Sequence, residues 1–249
     1  MLLQPSMHST YFHYFSPLEN LPMLPLRCET DQKGFPAITI VLIATCTAFF
    51  FSPTLAGKGQ GVIPLNVVHA LFHPLTTGLS ALSDLASSFF LHANLIHLVS
   101  NMWFLWIYGD NVEDVLGHGK YLLFYLLAGV AAALVHVAFN PYSRVPTIGA
   151  SGAIAGVMGA YLIKFPRSRI LTLVPIFFFF TTIEVPAVLI LAYWFMIQIV
   201  SGVGNMAYSN LSQGGVAWFA HAGGFLAGML LITLLRTRPR YHRRHDLHW

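Results

Sequence analysis

The sequence predicts an all-α membrane protein: a bundle of six transmembrane helices, one of them short, central and carrying a candidate nucleophile. Three observations predict it. The first is composition: 56% of the residues are hydrophobic and only 9% are charged, where a soluble domain carries about 25% charged residues. The second is spacing, because apolar stretches recur along the 249 residues with room for about six spans and short connections. The third is the siting of Lys and Arg. With six spans and both termini inside, Arg27, Lys33, Lys120, Lys164, Arg167, Arg169, Arg236, Arg238, Arg240, Arg243 and Arg244 fall on the inner side. Only Lys58 and Arg144 fall outside, the asymmetry that orients membrane proteins. The basic residues are thus accounted for by membrane orientation, and no nucleic-acid partner is expected. Cys28 and Cys46 are the only cysteines, so neither a disulfide framework nor a zinc-type spacing follows.

Residues 1–34 mix aromatic, proline and a few charged residues and read as an N-terminal cytoplasmic segment. They show no basic start, short apolar run and small-residue cleavage site of the secretory kind. The expected setting is therefore a plasma (bacterial inner) membrane with both termini cytoplasmic. The first span is expected over about 35–51, stopping at Ser52-Pro53. The connection 54–86 is too polar and too broken by Gly and Pro for a span. Its 67–72 and 75–85 portions read as short interfacial helices, mixing apolar residues with His69, His73 and Asp84. A connection of that length is commonly functional.

The second span, about 88–108, contains His92, Asn94, His97 and Asn101 and ends in the charged run from Gly109 to Asp114. The third covers about 121–139 and is followed by a turn at 140–146. The fourth starts at Ser151 and ends near Phe165-Pro166, about 15 residues or roughly 22 Å. That is shorter than the ~30 Å hydrocarbon core, so its first turn must lie below the membrane surface, in protein or a water-filled cavity. Residues 170–182, interrupted by Pro175, read as an interfacial segment. Glu184 and Pro186 suit the first turn of the fifth span, expected to reach about Val200 before a Gly/Ser/Asn-rich loop at 201–215. The sixth span, about 216–235, contains His221, and a basic cytoplasmic tail at 237–249 closes the chain.

In this topology the polar residues of spans two, four and six all lie in the outer half of the membrane. His97 and Asn101 are four residues apart and share one helix face. A buried polar residue in lipid needs a partner, and for His92, Asn94 and His136 a structural role is the simpler expectation. His136 has no matching partner in this map. His69, His73 and the tail histidines read as surface or interfacial. No metal site is expected: five-residue spacing does not bring His92 and His97 onto one face, and no HExxH occurs.

Ser151 and His221 support a sharper reading. A serine nucleophile needs a base, and histidine titrates in the right range. Gly224 and Gly228 follow His221 at one-turn intervals, and Gly152 and Gly156, themselves one turn apart, offer the matching surface on the fourth span, so the two helices can touch at backbone distance. Backbone N–H groups at the start of the fourth span, with His97 and Asn101, would then stabilise an oxyanion.

Gly149-Ala150-Ser151-Gly152, the run His92-x4-His97-x3-Asn101-Met102, and Ala220-His221-x2-Gly224-x3-Gly228 resemble the signature motifs of the rhomboid intramembrane serine proteases. The motifs occur in the family's order, and the resemblance covers about residues 35–236, which it implies are a six-helix protease domain. It implies a Ser–His dyad with no carboxylate: Ser151 as nucleophile, His221 as general base, His97 and Asn101 at the oxyanion, and His92, Gly149, Gly152, Gly224 and Gly228 in support. It further implies transmembrane protein substrates cut within the lipid bilayer near its outer face, a small residue before the scissile bond, and no cofactor or metal. The fifth span and the loop after it, about 186–215, would be gate and cap. Two positions depart from the pattern of some members. Ala155 stands where they carry a tyrosine under the catalytic histidine, so His221 has to be oriented by packing or another ring. Residues 54–86 contain neither Arg nor Trp, so the Trp-Arg pair of some bacterial members has no counterpart.

Two other classes fit the sequence less well. A proteolytically silent relative that binds transmembrane helices has no need of both Ser151 and His221. A transporter or channel predicts acidic residues within the spans and an internal repeat, and neither is found in the sequence.

Overall fold

The computed structural model describes residues 23–28, 34–52, 54, 61–176, 179–208 and 217–237. Within these, the helices are α1 (Ala37–Phe51), α2 (Pro64–Phe72), α3 (Pro74–Ser88), α4 (Leu95–Leu116), α5 (His118–Phe139), α6 (Ser151–Lys164), α7 (Ala187–Tyr208) and α8 (Trp218–Leu234). Three strands accompany them: β1 (Leu24–Cys28), β2 (Arg169–Ile176) and β3 (Phe179–Pro186). Among the described residues, α5 and the 187–204 part of α7 are long and apolar enough to cross a membrane, and α1, α6 and α8 are shorter apolar helices. The outward faces are apolar too: Leu123 on α5, Leu189, Met196 and Val200 on α7, and Leu226 and Leu230 on α8 are all exposed. So many large apolar side chains turned outward suit a lipid-facing surface.

The packing centres on α6, whose residues are buried without a break from Ala153 to Tyr161. Small residues make this possible. A Cβ on Gly152 would lie 2.7 Å from the Ala132 Cβ of α5, and one on Gly156 would lie 3.2 Å from the Gly224 carbonyl oxygen of α8. A Cβ on Gly224 or Gly228 would collide with the carbonyl of Gly152 or Gly156. The two helices therefore meet backbone to backbone, as the glycine spacing predicts.

The small sheet corrects the all-α expectation. Residues 170–176 and 179–182, expected as an interfacial segment, are extended and lie in the antiparallel pair β2–β3, with Arg169 opposite Pro186 and Ile176 opposite Phe179. Ile170, Thr172, Val174, Thr181, Thr182, Ile183 and Val185 explain the outcome, since branching at Cβ favours extended backbone. Glu184 and Pro186 belong to β3 rather than to a helix start, and Glu184 pairs with Arg169 at 3.2 Å. β1 adds to β2 antiparallel, with Leu24 opposite Leu173, and the Trp103 indole of α4 donates to the Pro25 carbonyl at 2.8 Å.

Helix boundaries differ from expectation in three places. The second expected span is divided: α3 ends at Ser88, and α4 starts at Leu95, where Asn94 Oδ1 accepts from the His97 backbone N–H at 2.8 Å. An amide oxygen at this position satisfies an otherwise unpaired donor. At its other end α4 continues through Gly109–Asp114 to Leu116. Glu113 is buried there because its carboxylate accepts from the N–H groups of Ile38 and Thr39 at 2.8 Å each, from Thr39 Oγ1 at 2.8 Å and from His118 Nδ1 at 2.6 Å. It caps the start of α1, and the chain turns at Gly117 with φ of +76°. Finally, α7 continues to Tyr208 instead of ending near Val200. The connection 54–86 holds α2 and α3, close to the two short helices expected. Most of the expected N-terminal segment and basic tail, with Lys33, Lys58, Arg238, Arg240, Arg243 and Arg244, lies outside the described residues.

Candidate active site

Ser151 is the first residue of α6. Ala150 before it provides no side-chain cap, and the first intrahelical bond runs from Ile154 N–H to the Ala150 carbonyl at 3.0 Å. The N–H groups of Ser151, Gly152 and Ala153 thus have no partner within the helix, which leaves a cluster of donors at its positive end. The approach to Ser151 is held from both sides. Thr147 and Val62 exchange two backbone bonds of 2.8 and 2.9 Å, and Gly149 N–H donates to the Ser88 carbonyl at 2.8 Å.

Gly149 has φ of +124°, a conformation that glycine alone adopts without strain. A Cβ there would also lie 2.9 Å from His97 Nε2 and 3.7 Å from Asn101 Nδ2. The two α4 side chains therefore converge on the turn just before Ser151. His97 Nδ1 accepts from the Ala93 N–H at 3.4 Å, which leaves the ring proton on Nε2. Asn101 is buried, and its Nδ2 has no hydrogen-bond partner among the described residues.

His221 lies in the first turn of α8, its N–H bonded to the Ala217 carbonyl at 3.1 Å. Its Nε2 is 2.8 Å from Ser151 Oγ. On its far side Nδ1 is 2.8 Å from Gln198 Oε1 of α7, and the Gln198 amide nitrogen donates to the Trp194 carbonyl at 3.3 Å. The Trp194 ring lies 6.0 Å from the imidazole and the Trp218 ring 6.5 Å from it. With alanine at 155, the imidazole is held from α7 and by these rings. Gln198 and Trp194 were missed in the sequence. The available signal was a lone amide in the apolar stretch 187–200, where an intramembrane polar residue should prompt a search for its partner.

The other polar residues have simpler roles. His92 Nδ1 donates to the Phe90 carbonyl at 3.1 Å, and its ring lies 5.1 Å from His97, bracing the turn before α4. His136, expected to be a structural residue whose partner the sequence map did not identify, bonds with Thr147: its Nε2 is 2.9 Å from Thr147 Oγ1. His69 and His73 are exposed. Among the described residues, no group of three or more His, Cys, Asp or Glu is arranged to hold a metal ion. Cys28 is buried in β1, and burial pushes its thiol up to about 12, so it is a packing residue rather than a nucleophile. Beside Ser151 lies a small cavity of about 30 Å³, bordered by Ser88, Ala132, His136, Thr147 and Ala220.

Residues 79–238 match the family model of the Rhomboid domain. The chain is 30% identical over 207 residues to the rhomboid protease GluP of Bacillus subtilis, an alignment that covers 82% of this chain and 36% of that protein. It is 33% identical over 159 residues to the mitochondrial RHOMBOID-like protein 6 of Arabidopsis thaliana, covering 63% of this chain and 44% of the relative. It is 29% identical over 151 residues to the mitochondrial Rhomboid protein 1 of Saccharomyces cerevisiae, covering 59% and 40%. The chain thus spans less than half the length of each of these relatives. The family model covers more than half of the chain and the alignment to GluP most of it, and the chain belongs to the membrane-embedded rhomboid family.

Proposed function

We propose that the chain is an intramembrane serine endopeptidase that cleaves transmembrane segments of membrane-anchored proteins near the outer membrane face. The observation that carries the reading is the 2.8 Å contact between His221 Nε2 and Ser151 Oγ, made at a helix start with unpaired N–H groups. Spans at α1, α4, α5, α6, α7 and α8 would form the protease domain at 35–236, with 1–34 and 237–249 as cytoplasmic flanks. The inner-side excess of Lys and Arg supports that orientation.

Ser151 Oγ attacks the scissile carbonyl carbon as its proton passes to His221 Nε2, and the carbonyl electron pair moves onto oxygen. That oxyanion is met by the Ser151 N–H, by His97 Nε2–H and by the Asn101 amide, donors aimed where charge develops. Collapse of the intermediate breaks the C–N bond, and His221 returns the proton to the leaving amine. Water then attacks the acyl carbon, giving its proton to His221; the acyl C–Oγ bond breaks, and His221 returns the proton to Ser151 Oγ, restoring the hydroxyl and neutral imidazole. A helical substrate hides its carbonyls in hydrogen bonds, so segments weakened by Gly or Pro are favoured. The small cavity beside Ser151 supports a small side chain before the scissile bond.

A fluorophosphonate tests the dyad without a substrate. The protein in lipid should take up the probe on Ser151, located by peptide mapping. Ser151→Ala should take up none, and His221→Ala should react far more slowly. Equal labelling of His221→Ala and wild type would refute the assigned base.

A further inference from the structure

The hydrogen bonds around His221 continue beyond the dyad, and their direction is fixed at one end. The Trp194 carbonyl only accepts, so the Gln198 atom 3.3 Å from it must be the NH₂ nitrogen. The other amide atom, Oε1, then faces His221 Nδ1 at 2.8 Å. The opposite amide orientation would set two acceptor oxygens against each other at Trp194. Because Oε1 only accepts, Nδ1 must hold the ring proton. Nε2 is left with a lone pair, directed at Ser151 Oγ 2.8 Å away. Gln198 is 2% exposed, and in such a site a buried amide without a partner is costly, so this arrangement is the one that satisfies all four groups.

We propose that Gln198 is a positioning residue for the reaction, an uncharged third member that sets the tautomer and ring orientation of His221. The inference rests on the Ser151–His221 reading and deepens it. A buried carboxylate does this in other serine hydrolases, but an unpaired carboxylate is expensive at membrane depth. An amide oxygen gives the same directional acceptor without a net charge. When His221 takes the Ser151 proton, its positive charge is stabilised by the Gln198 carbonyl dipole, and the second proton stays on Nδ1. Gln198 and Trp194 are one turn apart on α7 and His221 is on α8, so the dyad geometry depends on the register between these two helices.

The test uses the full chain in lipid with isotope-labelled histidine, the His221 signals being assigned by their loss in His221→Ala. Nitrogen NMR of the wild type should show Nδ1 protonated and Nε2 bare. Gln198→Leu, apolar and similar in size, should mix or invert the two tautomers and lower kcat about tenfold to hundredfold, part of the ~10²–10⁴ a positioned base supplies, with KM unchanged. Gln198→Glu keeps an acceptor and should restore the Nδ1–H signal and most of kcat. A wild type with bare Nδ1 would overturn the proposal, as would Gln198→Leu with unchanged spectrum and kcat. A wild type showing Nδ1–H that shifts in Gln198→Leu, yet cleaving nothing, would uphold the role of Gln198 and count against the hydrolase reading.

Discussion

His221 Nε2 lies 2.8 Å from Ser151 Oγ, although 70 positions separate the two residues. The contact exists because the helices that begin near each residue approach to backbone distance. Gly224 lies one turn beyond His221 against the carbonyl of Gly152, and Gly228 lies against that of Gly156. Side chains larger than hydrogen along this seam would push the imidazole away from the hydroxyl.

Gly228→Ala is therefore expected to cost about 1–3 kcal/mol of stability through overpacking and to reduce proteolysis. Gly119→Ala is the control, because a Cβ there meets nothing within 4 Å. It should stay within about 0.5 kcal/mol of wild type. Denaturant titration in detergent, read by tryptophan fluorescence, compares the two.

His97→Ala and Asn101→Ala each remove a donor beside the Gly149 turn. Each should lower kcat about 10²–10³-fold with little change in KM, the usual effect of losing one oxyanion donor. Steady-state cleavage of a single-span substrate measures both. A change confined to KM would assign these residues to substrate binding.

Glu113 predicts a purely structural loss. In Glu113→Ala the Ile38 and Thr39 N–H groups lose their acceptor, at about 1–3 kcal/mol for each orphaned group, and the start of α1 frays. His118→Ala should cost about 1 kcal/mol or less, since the His118 side chain is 54% exposed. Stability measured in detergent should rank wild type, His118→Ala and Glu113→Ala in that order.

The pairing of Ser151 with His221 and the helix seam were legible because each leaves a local mark: a serine between glycines, a histidine in an apolar run, glycines one turn apart. What was not legible depended on distant partners. Residues 170–182 read only as an interfacial segment, because the pairing of β2 with Leu24–Cys28, far away in sequence, leaves no local mark. The charged end of α4 read as a stop because the N–H groups that satisfy Glu113 belong to residues 38 and 39. Gln198 was passed over, because its meaning required knowing that His221 lies beside it.

Cys28 gives a check on the sheet. With its thiol pushed up to about 12 from an ordinary value of 9.0, its thiolate fraction at pH 8 falls about 10³-fold. Maleimide should label it in the denatured protein and hardly at all in the native one at pH 8. Labelling becomes favourable only as the pH rises towards the shifted value. Rapid native labelling would mean that β1 is not packed as described.

The most direct measurement is cleavage of a Gly- or Pro-weakened single-span protein by the purified chain in lipid vesicles, comparing wild type, Ser151→Ala and His221→Ala. The account predicts a cut within or beside the transmembrane segment by the wild type and none by either variant. Cutting that survives Ser151→Ala, or a wild type that cuts no such substrate, would contradict it.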